Sequence, residues 1–531
     1  MQEKAITAEE LAKEQRVISV AEFFEKNRHL LGFDNPAKAL LTGVKEACDN
    51  SIDACEDANL LPEVFIELKT IGQDRYRLVV EDNGPGIVKR QIGPIFGKLL
   101  YGSKFQTIGG RQSRGQQGIG ISAVVLYSQL TTGKPTKVIS KTSPKAPANL
   151  FVLHIDTKQN EPEILRTDVT DWAKDHGTRV EIELVGRYIE KRASVFEYIK
   201  ETAVANPHSH IVYIDPNGQR VEFPRVSEQL PEKPKRIRPH PYGIEFGILQ
   251  RMIKATKSRT IKSFLTAEFD KVGTGTAAEI LKTAEIEGKI MPRLLTAEQI
   301  EALIRAMQST KVMAPSTNCL SPIGAQTLKK SLESEYDIEF SHAITRPASV
   351  YRGNPFIIEC CIGYGGTLEP KTKLIRFANK VPLLYQQGAC AITKAVNDVS
   401  WRTYGLQQVP GTLPQEPMII LVHIASVWAP FTSESKEAVA HYPEIIKEIK
   451  LALQECGRAL QQHLSAKRRS EAEQRKKELF KNYAGELAGA IAGLTGQDVQ
   501  VIHQKILQIA SKMYPKEVEE PEKKPEEVSN E

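Results

Sequence analysis

The stretch Leu40-Leu-Thr-Gly-Val-Lys-Glu46-Ala-Cys-Asp-Asn50-Ser-Ile-Asp53-Ala54 decides how the rest of the chain is read. Wound as a helix, it puts Leu40, Val44, Ala47 and Ser51 on one arc and gathers Glu46, Asn50 and Asp53 on the other. An amide oxygen can ligate a hard cation such as Mg2+, and a carboxylate one turn away can orient or deprotonate a water. The same spacing also fits a plain solvated face.

Three further elements follow. Arg77-Leu-Val-Val-Glu-Asp82-Asn-Gly84-Pro-Gly86-Ile87 reads as a strand running into Asp82 and then a tight turn. A carboxylate fixed at a strand end can accept from an adenine amino group, and glycines let backbone approach a ring. Gly115-Gln116-Gln117-Gly118-Ile119-Gly120 precedes the apolar helical run that starts at Ile121-Ser122; amides of such a loop at a helix N-terminus attract phosphate. Ser103, Lys104 and residues 109–114 read as a basic flap upstream of it. Last, His176-Gly177-Thr178 opens a strand in which Val180, Ile182 and Leu184 alternate with charged residues. Taken singly, each of these is as well explained by a turn or a surface.

Their order is more specific. Glu-x-x-x-Asn-x-x-Asp, Asp-x-Gly-x-Gly, Gly-x-x-Gly-x-Gly and Gly-Thr at a strand start, within about 140 residues, resemble the ATP-binding domain shared by gyrase, heat-shock chaperones, histidine kinases and MutL. The resemblance implies that Glu46 is the general base, that Asn50 is the Mg2+ ligand and that Asp82 reads adenine with support from Thr178. Gly84 and Gly86 would line the base. Ser103, Lys104 and the loop Gly115, Gln116, Gln117, Gly118, Ile119, Gly120, Ile121 and Ser122 would wrap the phosphates of ATP. No Walker-type string occurs.

The surrounding chain narrows the choice. Only His29 precedes the first element, which argues against a histidine kinase, and no Asp-x-Asp pair exists for a metal-dependent DNA-cleaving centre. Downstream come Ser263-Phe-Leu-Thr-Ala-Glu-Phe-Asp270, Ile375-Arg-Phe-Ala-Asn-Lys-Val-Pro-Leu-Leu-Tyr385, Trp401-Arg402-Thr403-Tyr404 and Ala429-Pro-Phe-Thr-Ser-Glu-Ser-Lys436. This succession resembles the family of DNA topoisomerase VI B subunits, among the type II topoisomerases. It implies an α+β multidomain chain: an α/β-sandwich ATPase domain with an N-terminal strap (1–228), a helix–two-turns–helix insert (235–315) and an α/β transducer ending in a long helix (316–480). A C-terminal region with a disordered acidic tail (481–531) would follow. It further implies that Lys436 contacts the γ-phosphate and takes part in catalysis. The chain would homodimerise on ATP and pass double-stranded DNA through a break made by a tyrosine-bearing A subunit in an A2B2 heterotetramer, relaxing supercoils and decatenating DNA. Two departures stand out: Arg402 replaces the family's usual Lys, and residues 106–111 look longer than the family's flap. A rival reading is an ATP-driven DNA clamp of the MutL kind, without topoisomerase activity.

Charge and composition agree with this frame. The 531 residues are 41% hydrophobic, enough for several cores, and carry a net charge of +6. Residues 233–262 hold nine basic side chains against Glu245, a window of +8. Arg251, Lys254 and Lys257 there, with Trp401, Arg402 and Tyr404, are DNA-contact candidates that would hold phosphate without reading sequence. A solvated basic helix face explains the window equally simply. Residues 516–531 carry seven Glu and three Lys, a composition expected to stay disordered. Seven scattered cysteines, with no Cys-x-x-Cys pair, suit a reducing compartment, and the polar N-terminus is no signal peptide. The apolar run 418–428 is too short to cross a bilayer. A cytoplasmic protein without a membrane partner is expected.

Overall fold

The computed structural model describes residues 8, 11, 12, 15, 17–103, 110–115, 118–190, 193–433 and 435–513. Lys104, Gln116 and Gln117, most of the expected strap and the acidic tail lie outside the described residues.

After a short helix α1 (Val20–Lys26) comes α2 (Pro36–Asp57), the helix of the deciding stretch. Its start is written locally: the Asn35 side chain accepts from the Lys38 amide at 2.8 Å, and Pro36 sits at the first helical position. Leu40, Val44, Cys48 and Ile52 are wholly buried, so the apolar arc lies against the sheet as the pattern requires.

That sheet has eight strands: β1 (Glu63–Gly72), β2 (Arg75–Asp82), β3 (Thr136–Lys141), β4 (Ala148–Asp156), β5 (Glu161–Thr170), β6 (Gly177–Val185), β7 (His210–Ile214) and β8 (Arg220–Phe223). They lie in the order β5-β4-β3-β6-β2-β1-β7-β8. Only β1 and β7 pair in parallel; the other neighbours are antiparallel. Helices α3 (Lys89–Gly97), α4 (Gly120–Thr132) and α5 (Val195–Ala205) complete the layer that packs on the sheet with α2. Their apolar sides form one core with Ile66, Leu78, Val138 and Leu184 of the strands.

Residues 224–240 carry no regular structure, as their prolines require. The helical insert follows, with α6 (Phe246–Ala255), α7 (Ile261–Glu268), α8 (Thr274–Thr283) and α9 (Ala297–Ser309) around its own core of Leu249, Phe264, Ile280 and Leu303. Thr260 and Thr296 cap α7 and α9 reciprocally with Ser263 and Gln299.

After residues 310–324, a joint without helix or strand, lie α10 (Ala325–Glu335), β9 (Phe340–Thr345), β10 (Ser349–Tyr351), β11 (Asn354–Tyr364), β12 (Lys373–Ala378), β13 (Val381–Pro382), α11 (Ala391–Asp398) and β14 (Met418–Ser426). The second sheet runs β10-β11-β14-β12-β13, with β9 also on β11. Its core takes in Val204 and Ala205, the last residues of α5. The same helix gives Tyr198 and Ile199 to the first core. One helix thus belongs to both cores, and the two α/β layers share a wall.

Helix α12 spans Pro443–Thr495, longer than the sequence reading, which ended the long helix with the transducer at residue 480. The chain divides into two units at Gly457/Arg458. In the second unit α12 is followed by α13 (Val499–Met513), and Ala484, Ala488 and Ala492 pack on Ile502 and Ile506. The C-terminal region is therefore a helical hairpin up to residue 513, where the sequence reading gave it no structure. Among the described residues, no helix is long and apolar enough to cross a membrane. All seven cysteines are free and buried.

Candidate nucleotide site

Helix α2, the end of β2, the N-terminus of α4 and a loop after β14 enclose one cavity of about 710 Å³. Glu46, Asn50, Asp82, Gly86, Ser103, Gly115, Gly118, Ile119, Gly120, Ile121, Ser122, Thr178 and Lys436 all line it, although residues 46 and 436 are separated by most of the chain. Gly84 is not among the lining residues but donates its amide to Asp82, which is.

Asp82 is the best-fixed of these groups. Its Oδ1 accepts the Gly84 amide at 2.9 Å and the Thr178 amide at 3.0 Å, while Oδ2 accepts the Ser51 hydroxyl at 3.1 Å. Burial nevertheless outweighs these donors and raises its pKa above the usual aspartate value. Thr178 supports Asp82 through its backbone; its hydroxyl pairs with Ser140 at 3.2 Å. The sequence put Ser51 on the apolar arc, and the structure turns its hydroxyl to Asp82 instead.

The glycines have identifiable tasks. At Gly120 a Cβ would lie 2.1 Å from Glu46 Oε2, so glycine is what lets the carboxylate abut the first turn of α4. Gly86 adopts φ +69°, and a Cβ there would lie 2.0 Å from the Lys141 carbonyl oxygen. The close approach at Gly86 is thus to backbone at the end of β3, a reason the sequence reading did not find.

Glu46 and Asn50 face the cavity as the spacing predicts. Asp53 has a second engagement. Its Oδ1 accepts Arg114 Nη1 at 2.5 Å, and Glu56 receives the same guanidinium at 2.7 and 2.8 Å. Burial opposes ionisation of Glu56, but Arg114 and His208 hold it well below the usual carboxylate range. Arg114 thereby anchors the segment just before the glycine loop, and its carbonyl accepts Lys436 Nζ at 2.9 Å. Desolvation lowers the Lys436 pKa, with Glu46 opposing that shift. Asp49, buried behind the cavity and bonded by Tyr198 at 2.7 Å, is pushed up to about 6 by burial.

Sequence reasoning missed Lys38, Lys45, Tyr385 and Glu437, which also line the cavity. Lys38 and Lys45 stand seven residues apart on the helix face that carries Glu46, a spacing that could have drawn notice.

The DNA-contact candidates separate. Arg251, Lys254, Lys257 and Arg402 are exposed. Trp401 requires a correction: it is completely buried, its indole N–H donates to the Val396 carbonyl at 2.9 Å, and it can touch no DNA. Tyr404 stacks edge-on against it and packs on Gly457, where a Cβ would lie 2.7 Å from ring carbons. In this motif the aromatics build a support, and Arg402 is the charged group that reaches solvent.

Two family patterns match the chain. That of the "Histidine kinase-, DNA gyrase B-, and HSP90-like ATPase" covers residues 35–185, and that of the "Topoisomerase VI B subunit, transducer" covers 315–477. The B subunit of type 2 DNA topoisomerase 6 from Methanococcoides burtonii is 50% identical over 473 residues, 88% of this chain and 76% of that one. Its namesake from Archaeoglobus fulgidus is 51% identical over 461 residues (86% and 76%), and that of Methanosarcina mazei 47% over 505 (94% and 81%). The chain, with its ATPase layer, its transducer and a cavity walled by both, belongs to the family of type 2 DNA topoisomerase 6 B subunits, which are ATP-dependent topoisomerase subunits.

Proposed function

We propose that the cavity binds ATP with Mg2+ and that its hydrolysis drives a dimer gate for duplex DNA. The single observation that carries the reading is the meeting of Glu46, Asn50, Asp82 and Lys436 in one cavity of about 710 Å³ walled by two domains. Asp82 accepts the adenine amino group on Oδ2, which among the described residues has Ser51 as its one donor. Glu46 takes the proton of the attacking water. Lys436 meets the γ-phosphate, where charge builds during transfer. The loop residues Gly115, Gly118, Ile119, Gly120, Ile121 and Ser122 surround the phosphates, together with Gly84, Gly86, Ser103 and Thr178 around base and flap.

The donor set fits a phosphate-bridged cation. Among the described residues no group of three His, Cys, Asp or Glu side chains could hold a metal alone, which leaves Asn50 to share the ion with phosphates and water. When bound, Mg2+ would neutralise phosphate charge, with Asn50 as the protein group that would hold it.

Members of this family work with a partner subunit and with DNA. The finer reading is an A2B2 assembly in which two copies of this chain dimerise on ATP and close round one duplex, in the cytoplasm. The partner's tyrosine breaks a second duplex. Residues 1–228 form the ATPase domain, 235–315 the helix–two-turns–helix insert, 316–480 the transducer and 481–531 the C-terminal region. Exposed Arg251, Lys254, Lys257 and Arg402 contact phosphate.

The test is relaxation of supercoiled plasmid by the full chain with and without the A subunit. ATP-dependent relaxation is expected only with both. ATP-driven dimerisation in the ultracentrifuge without relaxation in the assembled enzyme would favour the MutL-like clamp instead.

A further inference from the structure

Lys436 sits at the tip of its loop with a left-handed backbone, φ +54°. A non-glycine residue in that region is held there by its neighbours. Both neighbours are tied to α2. The Ser435 carbonyl accepts Lys45 Nζ at 3.3 Å. On the other side Glu437 Oε1 lies 2.5 Å from Lys38 Nζ, an ion-pair contact, and Lys38 Nζ also meets Asp34 Oδ1 at 2.8 Å. The Lys38 and Glu437 side chains are only 11% and 7% exposed, so water screens this pair little. Burial works against the Lys38 charge, yet Asp34 and Glu437 carry its pKa above the ordinary lysine value.

The geometry has a simple logic. Lys38, Lys45 and Glu46 ride on one rigid helix, so fixing residues 435 and 437 to that helix fixes the Lys436 ammonium relative to the Glu46 carboxylate. An ion pair that joins a helix near the N-terminus to a loop some four hundred residues later has no role in folding either element locally.

We propose that Lys38 is a positioning residue for hydrolysis: its ion pair with Glu437, seconded by Lys45 on the Ser435 carbonyl, seats Lys436 in the nucleotide cavity. The proposal rests on the reading that Lys436 meets the γ-phosphate. Misplacing a charged group by about 1 Å can cost on the order of a hundredfold in rate.

The experiment compares Lys38→Met, Glu437→Gln, the double variant, Lys38→Arg and Lys436→Ala as full chains assembled with the partner subunit and DNA. The two single variants of the pair are expected to lower kcat by about ten- to a hundredfold. Their KM for ATP should move less than about threefold. The double variant should lose no more than the worse single, because the two residues act as one unit. Lys38→Arg should keep most of kcat. Affinity for ADP, which lacks the γ-phosphate, should be unchanged and reports that the cavity is folded. A wild-type kcat in Lys38→Met, additive losses in the double variant, or ADP affinity falling in step with kcat would each overturn the latch. Normal hydrolysis in Lys436→Ala would instead remove the reading on which it rests, whereas an impaired Lys436→Ala beside an unimpaired Lys38→Met removes the latch alone.

Discussion

Two buried carboxylates carried by strands, Asp82 at the end of β2 and Glu359 in the middle of β11, are titrated in opposite directions by their surroundings. Glu359 takes four donors: Oε1 from the Gly324 amide at 2.7 Å and Thr345 at 2.8 Å, Oε2 from the Ile323 amide and His423 Nδ1, both at 2.8 Å. His423 Nε2 accepts the Lys380 amide, which leaves the ring proton on Nδ1 for Glu359. Burial disfavours the charge, but these partners outweigh it and Glu359 stays below the usual glutamate pKa. Asp82, with three donors, is carried the other way. Glu359 has no lone pair left to offer and closes the joint between insert and transducer. Asp82 retains capacity towards a cavity. Completeness of satisfaction, more than burial, separates a carboxylate that builds from one that binds.

The contrast can be strained hardest at Glu46, a half-buried carboxylate that faces the cavity. Glu46→Ala should lower ATP hydrolysis by about 10² to 10⁴ while nucleotide affinity and melting temperature hold. Near-normal turnover would remove Glu46 as the base. Asn50→Ala should lose affinity as well if, as proposed, its amide holds the Mg2+ that accompanies the nucleotide.

A paired substitution comes next. Glu359→Ala orphans an imidazole, a hydroxyl and two amides, and should cost about 3–5 kcal/mol in urea unfolding with ATP affinity intact. Asp82→Asn keeps Oδ1 for both amides but turns the second atom into a donor. It should weaken ATP binding by about 1.5–3 kcal/mol with little change in stability. Should the two variants exchange phenotypes, the distinction between them collapses.

The finest effect concerns Lys380, whose amide serves the Glu359 cluster while its Nζ meets Ser321 Oγ at 3.2 Å. Burial pulls its pKa down to about 8 against an ordinary 10.5, with Arg114 adding to the fall and Glu56, Glu359 and Asp53 resisting it. The folded protein therefore sheds this proton before the unfolded chain does. The charge destabilises the fold below pH 8, and that loss is recovered as pH rises from about 8 to 10.5. Between pH 7 and 9.5 the wild type should gain on Lys380→Met, on the order of 1 kcal/mol in urea midpoints. Parallel pH curves would place the Lys380 titration elsewhere.

Much of this was legible beforehand for a physical reason. The nucleotide elements are short-range patterns: a helical spacing at Glu46 and Asn50, a strand ending on Asp82, a glycine loop before Ile121. Local chemistry dictates each, and their order did the rest. What stayed hidden depends on contacts across hundreds of residues. Nothing near Glu359 in the chain announces His423, nothing near Lys38 announces Glu437, and Arg114 looked like one more flap cation before Asp53 and Glu56 claimed it. Trp401 misled because an aromatic beside a cation suits both a nucleic-acid surface and a packed corner. The C-terminal hairpin escaped because its α12 seam is alanine, whose small buried face resembles a polar surface helix.

Helix α2 also determines where the chain tolerates changes of length. Along its 22 residues it carries Lys38, Lys45, Ser51 and Asp53, which bond to Glu437, Ser435, Asp82 and Arg114, and Glu46 and Asn50, which face the cavity. Every residue in a helix turns the remainder by about 100° and advances it about 1.5 Å. A single deletion after Glu46 would swing Asn50 from the cavity, Ser51 from Asp82 and Asp53 from Arg114 together. The turn at 143–147 holds no such shared register and absorbs added residues cheaply. The turn at 157–160 is less free, because the Asn160 side-chain amide exchanges hydrogen bonds with the backbone of Leu99. Relatives diverging by insertion should therefore vary at the first turn and keep α2 at constant length, a rhythm that genome comparison can read without any purified protein.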